Sequence, residues 1–374
     1  MVGGGRGAFI GAVHRMAATM DNQIELVCGA LSADPARARQ SGADWFLPPA
    51  RCYATYEEMF RRERELPVGE RMDFVCIVTP NHLHYPVARL ALQSGFAVVC
   101  DKPLALNLRE GRALAALVTR TGLPFALTHN YAGYALVKEA RDRIARGALG
   151  PLRKIVVEYP QGWLADPLER SGQKQAAWRT DPARAGASCC LGDIGTHAAH
   201  LAEYVSGLPI ESVCAELTTF VKGRPLEDDG SVLLRFPGGI RGHLWASQVA
   251  VGEENGLNLR VYGERGGLRW RQEEPNTLTL LWPDRPREIV RAGGNFADRL
   301  SPAALAASRL PAGHPEGYLE GFANIYRTFA GALRAHLAGR RPKTAELDFP
   351  TVADGVRGLA FIQAALASSK HNGR

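Results

Sequence analysis

The stretch "FVCIVTPNHLHYPVARLALQSGFAVVCDKP", residues 74–103, decides how the first third of this chain folds. Two short runs within it, FVCIV and AVVC, are apolar throughout, so each strand needs cover on both faces. Between them HYPVARLALQSG repeats its apolar residues at helical spacing and stops at Gly95. A strand, a helix and a strand in this order predict a parallel pair joined by a crossover. The rhythm extends outward in both directions. IELVCGAL (24–31) reads as a strand and DPARARQSG as the start of a helix. REGRALAALVTRTG reads as a further helix, and FALTH (125–129) as the last strand of a covered parallel sheet.

Beyond residue 130 the rhythm changes. A helix over roughly 134–147 and the strand RKIVVEYPQ precede a long polar loop, which runs through GWLADPLERSGQKQAAWRTDPARAG. Next comes a helix carrying GDIGTHAAH (192–200), then strand-like runs broken by Gly and charge clusters: SVCAELTTFV, SVLLRF, IRGHLWASQVAV, LNLRVYGE, GLRWRQ, TLTLLW and REIVRA. Helices over about 316–338 and 350–369 close the chain. The expected organisation is α/β: a dinucleotide-binding domain at 1–130, then an α+β domain at 131–374 with an open, largely antiparallel sheet.

With 374 residues the chain is long enough for two cores, and 46% hydrophobic with 22% charged residues is ordinary for a globular protein. The net charge of +7 comes from arginines dispersed among acids, as in RRERELPVGER. No basic run is interleaved with aromatics, so no nucleic-acid partner is expected. No segment approaches ~18 consecutive apolar residues, and no charged start followed by an apolar run marks a secretion signal. The seven cysteines (28, 52, 76, 100, 189, 190 and 214) show no C-x-x-C spacing and suit reduced thiols in a cytoplasm. Cys189 and Cys190 either fill a tight loop or form a redox pair.

The chain begins MVGGGRGAFIGAVH. Glycines between a strand and a helix let backbone N–H groups approach a pyrophosphate at the positive helix end. Gly3 and Gly5 fit the first two places of G-x-G-x-x-G, and Ala8 or Gly11 takes the third. Phe9 and Ile10 then open the helix beside the cofactor. Only Met1 and Val2 precede the first glycine, so the natural start is expected upstream. At the end of the second strand, Ser32 stands where an NAD-selective acid is usual, with Asp34 two residues on and Arg37 beyond it. Serine and arginine can hold a 2′-phosphate, which leans the NAD(P) choice toward NADP. The alternative is that Asp34-Pro35 simply starts a helix with Arg37 on its surface.

Together with the glycine start, VTPNHLHYPVA, VVCDKPLA, THNY, AWRTDPARAGASCCLGDIGTH and HPEGYLEGFANIY make the chain resemble the Gfo/Idh/MocA family of nicotinamide-dependent oxidoreductases. That resemblance implies a Rossmann domain followed by an α/β domain whose open sheet often mediates oligomers, so a homodimer or homotetramer is expected. It implies oxidation or reduction of a secondary alcohol or carbonyl on a sugar, an inositol or a related polyol. The family's Glu-Lys-Pro is Asp101-Lys102-Pro103 here, and its Asp-x-Gly-x-His matches Asp193 and His197.

The chemistry of these residue types agrees. Lys102 follows a strand and projects where ligands bind in open α/β sheets. A neutral imidazole removes a hydroxyl proton near pH 7, which makes His197 the base. Lys102 then stabilises charge on the oxygen, and Asp193 orients the substrate or its cationic neighbours. Lys102 as a surface lysine, His197 as a core histidine and Asp193 as an N-cap competing with Ser188 are the alternatives. Three-ligand metal binding by Asp193, His197 and His200 is another, though no metal is expected and His200 reads as structural. Thr79, Pro80, Asn81, His84 and Asp101 are expected to line the cofactor. His129 and Tyr131, with Asn130 between them, are expected near substrate, as are Trp163 and Arg179. Trp163 could equally be packing. Lys174 is a weaker candidate, and His314 and Glu316 could complete the pocket. The competing functions are a transient-redox glycosidase or epimerase that uses NAD, and a non-catalytic dinucleotide-binding sugar sensor.

Overall fold

The structure, a computed structural model, describes residues 1–293, 295 and 298–373. It places the two apolar runs of 74–103 side by side in a parallel sheet of β1 (Val2–Gly3), β2 (Phe74–Val78), β3 (Ala97–Cys100) and β4 (Phe125–Leu127), in that order. Val75, Ile77, Val98 and Val99 are wholly buried, as strands with both faces covered must be. The accompanying helices are α1 (Ile10–Thr19), α2 (Pro35–Asp44), α3 (Tyr56–Glu65), α4 (His84–Gln93) and α5 (Leu108–Thr121). Their starts are set by local chemistry. Asp34, Thr55 and Asn107 each accept the backbone N–H three residues on, capping α2, α3 and α5. The charged run before LPVGER hides an amphipathic helix, since Met59, Phe60 and Glu63 of α3 turn inward.

The strand expected at 24–31 is much reduced. Only isolated parallel bridges remain, Val2 to Ala30 and Gly29 to Cys52. Beside them the Met1 nitrogen donates to the Cys28 carbonyl at 2.8 Å, and the Ala30 N–H donates to the Met1 carbonyl at 2.9 Å. With these bridges counted, the spatial order is residues 52–53, residues 28–31, β1, β2, β3, β4. That is the doubly wound dinucleotide-binding order.

The division into units also differs from the contiguous one expected. The first unit is Met1–Thr128 with Phe322–Val356, and the second is His129–Gly321 with Arg357–Arg374. The C-terminal helices α11 (Tyr318–Leu337) and α12 (Val352–Lys370), named here ahead of those between, explain the return. From Phe322 onward α11 carries a buried apolar face, and Phe329 meets Phe74 edge-on with ring centroids 5.1 Å apart.

The second unit is built on eight strands: β5 (Leu152–Pro160), β6 (Ser212–Thr218), β7 (Asp229–Arg235), β8 (Arg241–Ser247), β9 (Asn258–Gly263), β10 (Gly267–Arg271), β11 (Thr277–Leu281) and β12 (Glu288–Arg291). Their order is β12-β11-β10-β9-β5-β8-β7-β6. Among the described strands of this sheet, β5 and β8 form the parallel pair and the others pair antiparallel. Ile155, Val157 and Tyr159 of β5 face inward while the residues between them do not, the period-two pattern of a sheet buried on one face. Helices α6 (Ala135–Ala145), α9 (Thr196–Ser206) and α10 (Pro302–Ala306) contribute Leu136, Val137, Leu201 and Ala304 to that core. The polar loop at 163–187 folds into α7 (Lys174–Arg179) and α8 (Pro182–Ala185), started by the side chains of Gln173 and Asp181. No helix among the described residues is long and apolar enough to cross a membrane.

Candidate active site

In the first unit, the predicted cofactor residues gather at the carboxyl edge of the parallel strands, where ligands bind in such sheets. Gly3 and Gly4 end β1 with φ of +80° and +79°. A Cβ on Gly11 would lie 2.2 Å from the Gly4 carbonyl oxygen, so α1 closes directly on the loop backbone. Gly11 makes the close backbone approach of the third motif position, and Ala8 lies in the turn, its N–H donating to the Gly5 carbonyl at 3.0 Å. Gly7, with φ +78°, has open space where its side chain would be. No side chain caps the start of α1, and Phe9 just before it is exposed. At the ends of β2 and β3 stand Thr79-Pro80-Asn81 and Asp101-Lys102-Pro103, the latter with a cis Lys102–Pro103 peptide. Asp101 Oδ1 accepts the Lys102 N–H at 2.9 Å and the Thr128 hydroxyl at 2.8 Å, which ties down the backbone that carries Lys102.

His84 is buried between the loops that follow β2 and β3. Its Nδ1 lies 2.6 Å from the Pro103 carbonyl oxygen and its Nε2 2.8 Å from that of Thr79. The ring thus sits between the two strand-end loops, and burial lowers its pKa against the pull of those carbonyls, so the neutral ring donates its one N–H to one of the two. The Ser32 hydroxyl accepts the Asp34 N–H at 3.1 Å, and the Asp34 carboxylate caps α2 through Arg37 N–H at 2.9 Å. The helix-start alternative therefore describes Asp34, and the Arg37 side chain is exposed.

In the second unit, Asp193 lies in a π-helical turn, Leu191–Gly195, that runs straight into α9. Such turns are frequent at functional sites because they re-aim a side chain. Asp193 lies inside the turn, which no side chain caps, and the Ser188 hydroxyl accepts the Gly192 N–H at 2.8 Å. Asp193 Oδ2 instead accepts from Arg179 Nε at 3.0 Å and Gln248 Nε2 at 2.8 Å. Arg179 thus holds the carboxylate through Nε, while its Nη1 donates to Gln175 Oε1 at 2.7 Å. Its guanidinium lies over Trp178, 4.2 Å from the ring centre, and 5.7 Å from that of Trp163. Trp163 packs on the small cluster around Leu164 and donates its indole N–H to Gln161 at 3.1 Å.

His197, one turn after Asp193, is buried among polar aromatics. Its Nδ1 lies 3.4 Å from His129 Nδ1, and its ring meets Tyr131 edge-on at 4.9 Å. The Tyr131 and Tyr159 hydroxyls share a short hydrogen bond. Asn255 joins them: its Oδ1 accepts from Tyr159 and from Gln161 Nε2, each at 2.8 Å. Burial pushes both tyrosine hydroxyls up, so they remain protonated donors. His200 stacks flat on His129 with centroids 4.4 Å apart.

Sequence reasoning missed Gln248, Gln161, Asn255 and Tyr159. The signals were present but weak. Gln161 and Gln248 directly follow β5 and β8, whose parallel pairing sets both at one sheet edge, and Tyr159 interrupts an otherwise aliphatic inward face. Lys174 is exposed at the start of α7. His314 is exposed, and Glu316 Oε1 staples its loop by accepting the Arg309 and Leu310 N–H groups at 2.7 and 2.8 Å. Cys189 and Cys190 are buried filler whose thiols burial pushes up.

Residues 1–129 match a family model described as an oxidoreductase family with an NAD-binding Rossmann fold, and residues 137–269 match the GFO/IDH/MocA C-terminal domain. The chain belongs to the Gfo/Idh/MocA family. An uncharacterised oxidoreductase of Bacillus subtilis, YfiI, is 32% identical over 99% of this chain and 93% of its own. An inositol dehydrogenase homologue from Azotobacter vinelandii, solved with NAD+, superposes with a TM-score of 0.94 at 36% identity, covering 100% of this chain and 95% of the other. The same homologue solved with NADH and myo-inositol gives 0.91 at 35%, with the same coverage.

As a Gfo/Idh/MocA member the chain is a nicotinamide-dependent oxidoreductase, and its first unit fits that cofactor. The left-handed glycines bring bare backbone to the edge of the sheet, and the uncapped start of α1 offers N–H groups to an anion. Thr79 Oγ1, buried at the same edge, has no hydrogen-bond partner among the described residues.

Proposed function

We propose that this enzyme oxidises a secondary carbinol of a neutral sugar, inositol or related polyol, or reduces the matching carbonyl. His197, buried on the wall that also carries Asp193, is the observation that carries the reading. His197 takes the hydroxyl proton. Lys102 hydrogen-bonds the same oxygen and stabilises its developing charge, while Asp193, held by Arg179 and Gln248, orients the substrate. When bound, the nicotinamide supplies the hydride acceptor. The hydroxyls and amides of Tyr131, Tyr159, Asn255 and Gln161 are neutral donors and acceptors suited to a ring of hydroxyls, and Trp163 offers an apolar face. The relative solved with myo-inositol supports the substrate class.

For the cofactor, the NAD+ and NADH complexes of that relative favour NAD(H). Asp34 being spent as a helix cap, beside Ser32 and Arg37, favours NADP(H). Leu233, Tyr262 and Ile289 point outward from the second sheet, which supports a homo-oligomer through that face. The free thiols support a reducing, cytoplasmic location. The test is a panel of inositols and sugars incubated with NAD+ and NADP+ separately, read by the near-ultraviolet absorbance of the reduced nicotinamide. Net reduction with a polyol is expected. Substrate turnover with no net reduction would replace the reading with transient redox chemistry, and binding without turnover would replace it with a sensor.

A further inference from the structure

A buried polar cluster in the first unit carries one step more, which rests on Lys102 serving the reaction. Residues far apart in the sequence meet there: His14 of α1, Cys76 of β2, Asp101 after β3 and Tyr326 of α11. His14, Cys76 and Tyr326 are buried. His14 Nδ1 lies 2.7 Å from the Tyr326 hydroxyl and 3.5 Å from Cys76 Sγ, and hydroxyl and thiol are 2.9 Å apart. Across the ring, His14 Nε2 lies 4.0 Å from Asp101 Oδ1 and has no hydrogen-bond partner among the described residues. That distance is too long for a hydrogen bond, yet in buried surroundings an N–H there still attracts the oxygen. We propose that His14 is a positioning residue for Lys102: Nδ1 accepts, the ring proton stands on Nε2, and that N–H steadies Asp101 Oδ1 where it ties down the Lys102 backbone.

The proton positions follow from what each group can give. Burial lowers the His14 pKa although Asp101 pulls the other way, so near pH 7 the ring is neutral and holds one proton. Burial pushes the Cys76 thiol and the Tyr326 hydroxyl up, so both keep their hydrogens and are donors on the Nδ1 side. Asp101 Oδ1 is an acceptor, since it already takes the Lys102 N–H at 2.9 Å and the Thr128 hydroxyl at 2.8 Å. With the proton on Nε2, the thiol donates to the Tyr326 oxygen, the Tyr326 hydroxyl donates to Nδ1, and Nε2–H meets an attracting oxygen. With the proton on Nδ1, a bare Nε2 would face that oxygen lone pair to lone pair. Phe322, one turn before Tyr326 on α11, meets the His14 ring edge-on at 4.8 Å and helps to fix its plane. No bond forms or breaks in this device, which acts on the place of Lys102 alone.

The proton is located by long-range ¹H–¹⁵N spectra of the full-length enzyme with labelled histidine, bound to NAD+. The His14 signal is assigned by its nuclear Overhauser contacts with Phe322, which needs no variant. A bare Nδ1 and a protonated Nε2 are expected at neutral pH, and the reverse tautomer overturns the proposal. Turnover of the polyol oxidised in the panel above supplies the second arm. His14→Phe keeps a ring in place and loses both nitrogens. It is expected to lower kcat by ~5- to 10-fold, with the NAD+ dissociation constant within ~2-fold of wild type. Added to Asp101→Asn, whose amide oxygen is a weaker acceptor, the same change should cost less than a further ~2-fold. Equal losses in the two backgrounds, or lost NAD+ affinity in place of kcat, would mean that His14 only packs α1 against the sheet. Failure of the lysine reading looks different: Lys102→Ala would keep its turnover, whichever tautomer the spectra show.

Discussion

The two units present their candidate functional groups in different materials. The first uses backbone: left-handed glycines, an uncapped helix start and the ends of parallel strands, with Asp101 and His84 spent on holding main-chain loops in place. The second uses side chains: a carboxylate held by Arg179 and Gln248, and an imidazole set among Tyr131, Tyr159 and His129. Backbone recognition suits a ligand with the same phosphates in every family member. Side-chain networks suit a substrate that differs between members, because one substitution can re-aim a hydroxyl without disturbing the sheet. Damage to the first unit should therefore appear as lost cofactor affinity, and damage to the second as lost turnover.

The largest effect is expected at the reacting groups. His197→Ala should lower kcat by ~10²–10⁴-fold with the NAD+ dissociation constant unchanged. Lys102→Ala should lower kcat by a similar factor, because its ammonium and not its backbone is what the reaction uses. Stopped-flow turnover beside fluorescence titration of NAD+ separates the two quantities. A His197→Ala enzyme that lost cofactor binding in proportion would erase the contrast between the units.

Gly11→Ala tests the opposite side. The added methyl would meet the Gly4 carbonyl oxygen and Cα at 2.2 and 2.3 Å, and both are main-chain atoms that cannot rotate away. Overpacking of this kind costs roughly 1–3 kcal/mol. Since the strain falls on the loop, NAD+ affinity should drop by ~10-fold or more, while the kcat at saturating cofactor stays near wild type. Calorimetric titration reads the first and initial rates read the second.

Much of this was legible in the sequence, and the difference between the units explains which parts. Glycines and wholly apolar strands are local signals, so the glycine loop and the frame of β2 and β3 could be read from short stretches. Asp193 and His197 were legible because one helical turn brings residues four apart together. Tertiary partners were not. Gln248 matters because β8 lies parallel to β5, a pairing between distant stretches that no window of sequence displays. The place of His84 between two carbonyls depends on where the loops after β2 and β3 fall. The strand at 24–31 looked sound by composition, yet only isolated bridges at Gly29 and Ala30 tie it to its neighbours. The polar run at 163–187 hid two short helices because their inward residues, Ala176 and Ala185, are too small to announce a face.

A smaller effect is expected at Gln248. Gln248→Leu removes a donor to Asp193 Oδ2 and leaves Arg179 in place. The carboxylate turns more freely, so KM for the polyol should rise by ~10-fold with a lesser change in kcat. An unchanged KM would show that the carboxylate does not need this donor.

The smallest effect concerns stability, and it opposes the units through two buried carboxylates. At Glu63 burial pushes the pKa up, but Arg51, the Met72 N–H and the Tyr53 hydroxyl outweigh it and the net shift is downward. The unfolded first unit therefore binds more protons than the folded one between the two pKa values. The Glu63 contribution is complete above the ordinary carboxylate range near ~4.3 and fades as pH falls through its folded pKa. At Glu227 burial is the larger influence, and the hydrogen bonds from Ser188 and the Leu191 N–H do not cancel it, so the pKa is raised. Here the folded state keeps a proton that the unfolded state has lost, so the contribution is complete below ~4.3 and fades as pH rises toward the folded value. Glu227→Gln keeps a neutral side chain at every pH. Relative to wild type, its melting temperature should gain on the order of 2 °C at pH 7 and nothing at pH 4. Glu63→Gln should lose at pH 7 and lose less at pH 4, and calorimetric scans at the two pH values would show whether the signs are opposed.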